Sequence, residues 1–409
     1  MNAITENEIA FDANPVWSAV WAMSLCAMVL IASEFLPVSL LTPIASDLHI
    51  TEGHAGQTIS ISGLFALVTS LSLTSVIGRI DRRRILLFFT AIMGISGLMV
   101  AFAPNAVVLM IGRALIGVCI GGFWSISAAT LMRLVPEEAL PKALAILNGG
   151  NALSTTVAAP LGSFLGGLIG WRGAFLFVVP LIVIAFAWQW LSLPSLPAMK
   201  NHGSRAAGGN VLRLLGQRRI VLGTFSVMLF FAGQFALFTY MRPFLESVTG
   251  VNVKELSILL LGLGLFGLVG TFAIGNMLKK RLYSILIITP IFMSLIGVAL
   301  ILFGYSLPVT ALMLCAWGFF ATSAPVAWWT WMSRALPNEA EAGGGLMVAA
   351  IQLAITFGSS VGGLCYDTYG YQITFIASII LLASSSAMAC VTWVHASKQE
   401  FTQSKELKK

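Results

Sequence analysis

Arg133-Leu-Val-Pro136-Glu-Glu-Ala139 is met again, about 200 residues on, as Arg334-Ala-Leu-Pro337-Asn-Glu-Ala340. Two other stretches repeat near that offset. Gly170-Trp-Arg-Gly-Ala-Phe175 returns as Gly370-Tyr-Gln-Ile-Thr-Phe375, and the charged turn Asp81-Arg-Arg-Arg84 returns as Lys279-Lys-Arg281. Three matches in one register mark a duplicated unit. The chain reads as two copies of one architecture laid end to end.

Composition says what is duplicated. Of 409 residues, 58% are hydrophobic and 10% charged, and mean hydropathy is +0.91. A soluble domain carries about a quarter charged residues. Apolar runs of about 20 residues recur, the length that crosses ~30 Å of hydrocarbon. They fall at roughly 17–41, 55–77, 85–103, 106–132, 143–169, 173–193, 220–244, 254–278, 283–304, 307–333, 344–365 and 373–394. The expectation is an all-α membrane protein of twelve transmembrane helices in two six-helix repeats. Its parts are a tail (1–16), a first half (17–193), a basic linker without acids (194–219), a second half (220–394) and a second tail (395–409). The first tail has no Lys or Arg and carries Glu6, Glu8 and Asp12. It lacks the basic start of a signal peptide, so the first run is expected to be retained.

Charge orients the bundle. With both termini inside, 19 of the 23 lysines and arginines fall in inside segments and three, Arg172, Arg242 and Lys254, outside. The positive-inside rule then places both termini in the cytoplasm. The net charge of +7 follows from this arrangement and does not argue for a nucleic-acid partner. The five cysteines form no CxxC pair and read as small apolar residues. There is no metal-binding HExxH and no phosphate-cradling GxxxxGK[ST]. Gly94-Ile-Ser-Gly97 has the form of an intramembrane serine-protease motif. The four histidines, however, lie in loops or the tail, so no base faces that serine. No enzyme, metal or cofactor is expected.

The remaining basic residue, Arg113, lies inside the fourth run, and Glu34 is the one acid well inside a run. A charge there costs ~3 kcal/mol on insertion scales and marks function by default. Glu34, in Ala32-Ser-Glu-Phe-Leu-Pro-Val38, is seven residues from the expected outer end of its span, and Arg113 is seven from the outer start of its own. The first span runs outward and the fourth inward, so the two share a depth and can pair directly or through water. Glu34 is the candidate proton carrier. Its alternatives are a rim position or a structural pair, and the alternative for Arg113 is donation to backbone carbonyls.

Two parallel six-helix repeats resemble the major facilitator superfamily, and the motifs resemble its twelve-span proton-coupled drug-efflux branch. Arg113, Gly117 and Gly121 match the fourth-span arginine with glycines four and eight residues later. Pro160-Leu-Gly162 with Gly166 resembles the fifth-span antiporter motif, Ala159 replacing a glycine. Asp81-Arg82 matches the signature loop, with Ile77 and Arg84 at its glycine places. Ser33-Glu-Phe-Leu-Pro-Val-Ser-Leu-Leu-Thr-Pro43 and Phe231-Ala-Gly-Gln-Phe-Ala-Leu-Phe-Thr-Tyr-Met-Arg-Pro243 are similar to bacterial purine ribonucleoside efflux pumps. The resemblance implies proton-driven export of inosine, guanosine and related purines across the bacterial inner membrane. It also implies proton coupling through Glu34 and Arg113, a cytoplasmic gate at Asp81 and Arg82, and close helix packing at Gly117, Gly121, Pro160, Gly162 and Gly166.

A purine needs a flat apolar face and amides for its edge. Phe231 and Phe235 share a helix face on either side of Gln234. Asn148, Asn151, Tyr240 and Gln352 are further polar residues inside spans. These seven form the expected substrate set, with ordinary packing as the alternative for each. Trp328, Trp329 and Trp331 read as interfacial anchors. Membrane lipid is the expected surroundings. Tandem halves in one chain favour a monomer with alternating access over a symmetric channel.

Overall fold

The computed structural model describes residues 16–76, 80–197, 214–336 and 340–406. Most of the first tail and of the expected linker, together with Ile77, Pro337 and the last three residues, lie outside the described residues. Eleven helices among the described residues are long and apolar enough to cross a membrane. One of them lies within Leu140–Ser192, whose 53 residues would measure ~80 Å at 1.5 Å per residue, more than twice the hydrocarbon thickness. It turns at Gly170, with φ 75° and ψ 165°, and makes two passes. The total is twelve.

The helices are α1 (Trp17–Asp47), α2 (Glu52–Val76), α3 (Arg82–Ala101) and α4 (Ala106–Leu134), then α5 (140–169) and α6 (171–192). In the second half α7 (Arg218–Phe238) continues through short turns to Thr249. Val253–Phe303 bends at Arg281 into α8 and α9, and α10 (Leu307–Ala335), α11 (Ala340–Tyr369) and α12 (Tyr371–Glu406) follow. The turns α1–α2, α5–α6, α7–α8 and α11–α12 share one end of the bundle, called here the far end. The start of α1 and the end of α12 share the other.

The sequence repeats now have a physical cause. Gly170 and Gly370 hold φ of 75° and 80° at equivalent turns, a conformation open to glycine and costly for other residues. After each, an aromatic pair four residues apart packs edge to face. Trp171 and Phe175 have centroids 6.2 Å apart, and Tyr371 and Phe375 5.9 Å. Arg133 and Arg334 sit in the last turns of α4 and α10, where a cation suits the helix dipole. They donate to the carbonyls of Leu196 and Leu278.

Each half has its own core. Met23, Leu30, Phe89 and Phe123 belong to the first, and Phe230, Phe244, Trp317 and Trp328 to the second. Large apolar side chains are also exposed, among them Phe88, Leu168, Phe272 and Leu312. A helical bundle apolar on its outside as well as its inside suits a lipid surround.

Two expectations are corrected. Trp328 and Trp331 are no interfacial anchors. Three residues apart, they share the inward face of α10 and are buried edge to face at 6.0 Å, with Gly223 of α7 against Trp331. Trp329 points outward and is exposed. The first span does not end near Leu41. It stays helical through Pro37 and Pro43 to Asp47, which puts Glu34 about 20 Å from that end, near mid-helix.

Close packing concentrates where carbonyls meet glycine. A Cβ on Gly117 would lie 2.2 Å from the Ser62 carbonyl oxygen, and one on Gly121 2.2 Å from that of Ala66. Gly117→Ala therefore forces α2 and α4 apart and should cost on the order of 1–3 kcal/mol. Nothing lies within 4 Å of a Cβ on Gly149, so Gly149→Ala should be neutral or stabilising by up to about 1 kcal/mol. Thermal unfolding in detergent compares the two.

Candidate functional site

Proline inside a helix leaves the carbonyl four residues earlier without its donor. Pro37 does this to Ser33, and the vacancy is taken by Arg113. Its Nη1 donates to the Ser33 carbonyl at 2.7 Å and its Nη2 to the Glu34 carbonyl at 2.8 Å. Nε reaches the Thr58 carbonyl at 3.1 Å and Nη2 the Ser62 hydroxyl at 3.3 Å. The guanidinium, only 1% exposed, thus ties α4 to α1 and α2. Its direct bonds run to the main chain of Glu34, not to the carboxylate.

The Glu34 side chain, 3% exposed, faces elsewhere. Its neighbours are the Arg113 charge and the amide of Gln352 on α11. A carboxyl of the first half therefore meets an amide of the second. Beside it, Phe35 stacks on Phe235 of α7 with centroids 5.7 Å apart.

The halves are joined by hydrogen bonds that gather toward the far end. Arg242, after α7, donates to the carbonyl of Ser39, the one that Pro43 deprives of its donor, and pairs with Glu246 at 2.8 Å. Asp367 at the end of α11 accepts from Gly53 N at 2.8 Å and Thr51 Oγ1 at 2.6 Å. It caps the N-terminus of α2 from the opposite half, where a carboxylate suits both the free amides and the dipole. Deeper along the α2–α11 junction, Ser60 and Ser359 hydroxyls meet at 2.7 Å, and Ser360 donates to Gln57 at 3.0 Å. At the α5–α8 junction Ser257 donates to Ser163 at 3.1 Å. There a Cβ on Gly264 would lie 2.4 Å from the Thr156 carbonyl, which Pro160 frees.

The expected substrate residues do not share one surrounding. Phe231 and Phe235 are buried, and Gln234 between them is half-buried with its Oε1 unpartnered. Asn148 is exposed and donates to its own helix at Leu144, and Asn151 is half-buried. Tyr240 is fully buried within the far-end closure. Its hydroxyl donates to the Ser359 carbonyl at 2.8 Å, and its ring stacks on Tyr366. Gly162 and Gly166 let α5 approach Leu36, Ser39 and Leu40 of α1. Ser96 of the protease-like motif donates to the Gly112 carbonyl at 2.6 Å, an ordinary packing bond.

Asp81 caps α3 through Arg83 N at 2.8 Å. It also binds the segment after α6, accepting from Ser195 Oγ at 2.5 Å and Leu196 N at 3.0 Å. Arg82 N donates to the Leu196 carbonyl at 3.0 Å. These bonds tie α3 to the start of the linker that follows α6, and none reaches the second half. Partial burial pushes the Asp81 carboxyl up. The hydrogen bonds from Ser195, Leu196 and Arg83, with the Arg84 charge, outweigh it and hold the group below its ordinary range.

Sequence reasoning passed over Arg242, Asp367 and Phe35. Arg242 had one legible signal, as one of three basic residues on the side expected to hold few. The other two had none, since their partners are in the opposite half.

A model of the Major Facilitator Superfamily matches residues 23–346. The chain belongs to this superfamily, whose members are multi-pass membrane transporters and not enzymes. It is 54% identical over 380 residues to a Pseudomonas aeruginosa protein named transcription regulatory protein OpdE, covering 92% of this chain and 94% of that protein. It is 42% identical over 358 residues to the purine ribonucleoside efflux pump NepI of Salmonella paratyphi A, covering 88% and 89%. Among solved structures, a D-xylose–proton symporter superposes with a TM-score of 0.74 at 16% identity, covering 92% of this chain and 97% of that one. A bacterial homolog of the human lysosomal transporter Spinster gives 0.72 at 15%, covering 93% and 95%. At those identities the structures establish the fold.

Two expectations follow from the geometry. Arg113→Lys leaves the Ser33 carbonyl without a donor and should cost on the order of 1–3 kcal/mol. Pro37→Ala returns the missing N–H, so in that background the same change should cost about 1 kcal/mol less. Thermal unfolding of the two single variants and the double variant measures the coupling, and strict additivity would contradict it. Asp81 has a native value below its unfolded one. Its contribution is full above the ordinary carboxylate range near ~4 and is lost as pH falls through the lower native value. Asp81→Asn should therefore lower stability at neutral pH, and its difference from wild type should vanish in acid.

Proposed function

We propose that this protein is a proton-coupled antiporter that exports purine ribonucleosides such as inosine and guanosine. It works by alternating access in the bacterial inner membrane, with both termini in the cytoplasm. The observation that carries the substrate is the 42% identity, over 88% of this chain, to a protein named for purine ribonucleoside efflux. Positive-inside charge supports the orientation, which makes the far end extracellular and its closed state inward-facing.

In this reading substrate enters from the cytoplasm between the halves and binds near Phe231, Gln234 and Phe235 while Glu34 is ionised. The loaded carrier opens the far end, giving up the bonds of Arg242 and Asp367 to the first half. A proton from outside then reaches Glu34, favours release and returns the carrier. Coupling requires only that proton and substrate stabilise different states. Asp81 and Arg82 act as the gate of the opposite end in the complementary state. In the present conformation their bonds run to Ser195 and Leu196 at the start of the linker.

The name of the 54% identical relative favours a second reading, a role in transcription regulation. Flux separates the two. Purified protein in liposomes should carry inosine and guanosine against an imposed pH gradient, and Glu34→Gln should abolish gradient-driven transport. Flux of a drug or sugar without nucleoside flux would move the substrate to another class. No flux of any solute would favour the regulatory reading.

A further inference from the structure

Gln352 is 7% exposed, and its Oε1 receives no hydrogen bond. A buried amide oxygen left without a donor is destabilising, so its retention needs a reason. The side chain lies in the half-to-half junction, facing Gly63 of α2. A Cβ at Gly63 would lie 3.5 Å from Oε1 and 2.5 Å from Thr356 Oγ1. Glycine offers no polar hydrogen in return. The group that the amide does meet is the Glu34 carboxyl of α1.

We propose that Gln352 transmits the protonation of Glu34 to the second half, acting as a positioning residue for the return step. The inference rests on Glu34 as the proton site. An ionised carboxylate only accepts hydrogen bonds, whereas a protonated one also donates. Against ionised Glu34, Gln352 uses its Nε2–H alone and Oε1 stays empty. Once Glu34 takes a proton, its new O–H supplies the donor that Oε1 lacks, and acid and amide satisfy each other with two hydrogen bonds. The second bond spans α1 and α11 and exists only while the halves are together here. Protonation therefore strengthens the far-end-closed state that is observed. The same linkage makes that state hold its proton more tightly.

Among the described residues, the groups around Glu34 leave this exchange to the pair. Arg113 is the charged group facing it from α4, and its hydrogen bonds go to main-chain carbonyls and Ser62. Arg242 reaches α1 further along, at Ser39. Thr58 and Ser62 of α2, Gly162 of α5 and Phe235 of α7 also face α1 and carry no titratable group. The charged Lys142 of α5 and Arg172 of α6 meet α1 near its two ends, at Trp17 and Asp47.

Hydrogen–deuterium exchange of the full-length protein in lipid nanodiscs tests this. Exchange is read at the far-end segments 47–56 and 360–372 from alkaline to acid buffer, corrected for the intrinsic rate. In wild type, acid should raise far-end protection about fivefold, the shift that one net hydrogen bond of ~1 kcal/mol supports. Gln352→Leu and Gln352→Met, two apolar replacements of similar size, should both flatten the response, and so should Glu34→Gln. Unchanged protection of α3 and α4 verifies that each variant is folded. If either folded Gln352 variant keeps the wild-type response while Glu34→Gln loses it, the role of Gln352 is overturned and Glu34 stands as the proton site. If Glu34→Gln keeps the response, the proton site and this inference fall together.

Discussion

The Ser33 carbonyl has no donor in its own helix, because Pro37 stands where the donor should be. Much of the bundle is arranged around that vacancy. A buried carbonyl without a partner costs ~1–3 kcal/mol, and Arg113 supplies the partner from α4 while also holding Glu34 and Thr58. Two more prolines free carbonyls that face the other half. Pro43 frees Ser39 for Arg242, and Pro160 frees Thr156 beside Gly264. The first vacancy is filled within one half. The other two are covered by groups of the second half, contacts that the proposed opening of the far end would hand to water. The same defect is thus satisfied inside one half at Pro37 and across the halves at Pro43 and Pro160.

The duplicated architecture sets two half-to-half junctions in equivalent places, and they have diverged. Gly53 of α2 lies against Asp367 of α11, and Val253 of α8 lies against Gly167 of α5, with each pair of numbers shifted by about 200 between the halves. The close approach needs a glycine on one side in both. The α2–α11 junction is polar, with Asp367, Gln57, Ser60, Ser359 and Ser360 exchanging hydrogen bonds. At the α5–α8 junction Val253 and Leu260 replace Gly53 and Ser60. Polar contacts give little net stability, because water replaces them on separation. An apolar junction resists opening in proportion to the area it buries. Under the proposed alternating access, the polar junction is the one that separates at lower cost.

The fold was legible because its causes are local. Apolar run length, the basic residues of the inside turns, and the glycines at 170 and 370 each act within a few residues. Glu34 and Arg113 stood out for the same reason, as charges inside apolar runs. What sequence could not supply were contacts set by docking. Asp367 looks like any acid at a helix end until α11 is laid beside α2. Trp328 and Trp331 look like membrane anchors until α10 is rotated to point them at Gly223. Tyr240 looks like a ligand residue until Gly56 and Gly363 are seen closing around it. α1 outlasts the apolar run that ends near Leu41, because the proline at 43 does not stop it. Here it is a kink whose lost hydrogen bonds are made good from outside.

The distinction between main chain and side chain at Glu34 bears on the chemistry. An arginine bound in two-point contact to the carboxylate would favour its ionised form strongly and would resist protonation. Arg113 spends its hydrogen bonds on the carbonyls of Ser33, Glu34 and Thr58 instead. It fixes where the carboxyl sits through the main chain and leaves the carboxyl oxygens to the proton exchange proposed above. Those oxygens face an amide on the opposite half, whose free acceptor can answer a change of charge with a change of hydrogen bonding. In the proposed mechanism, anchoring from one side and reading from the other would let a single buried acid connect proton uptake to the relative position of the two halves.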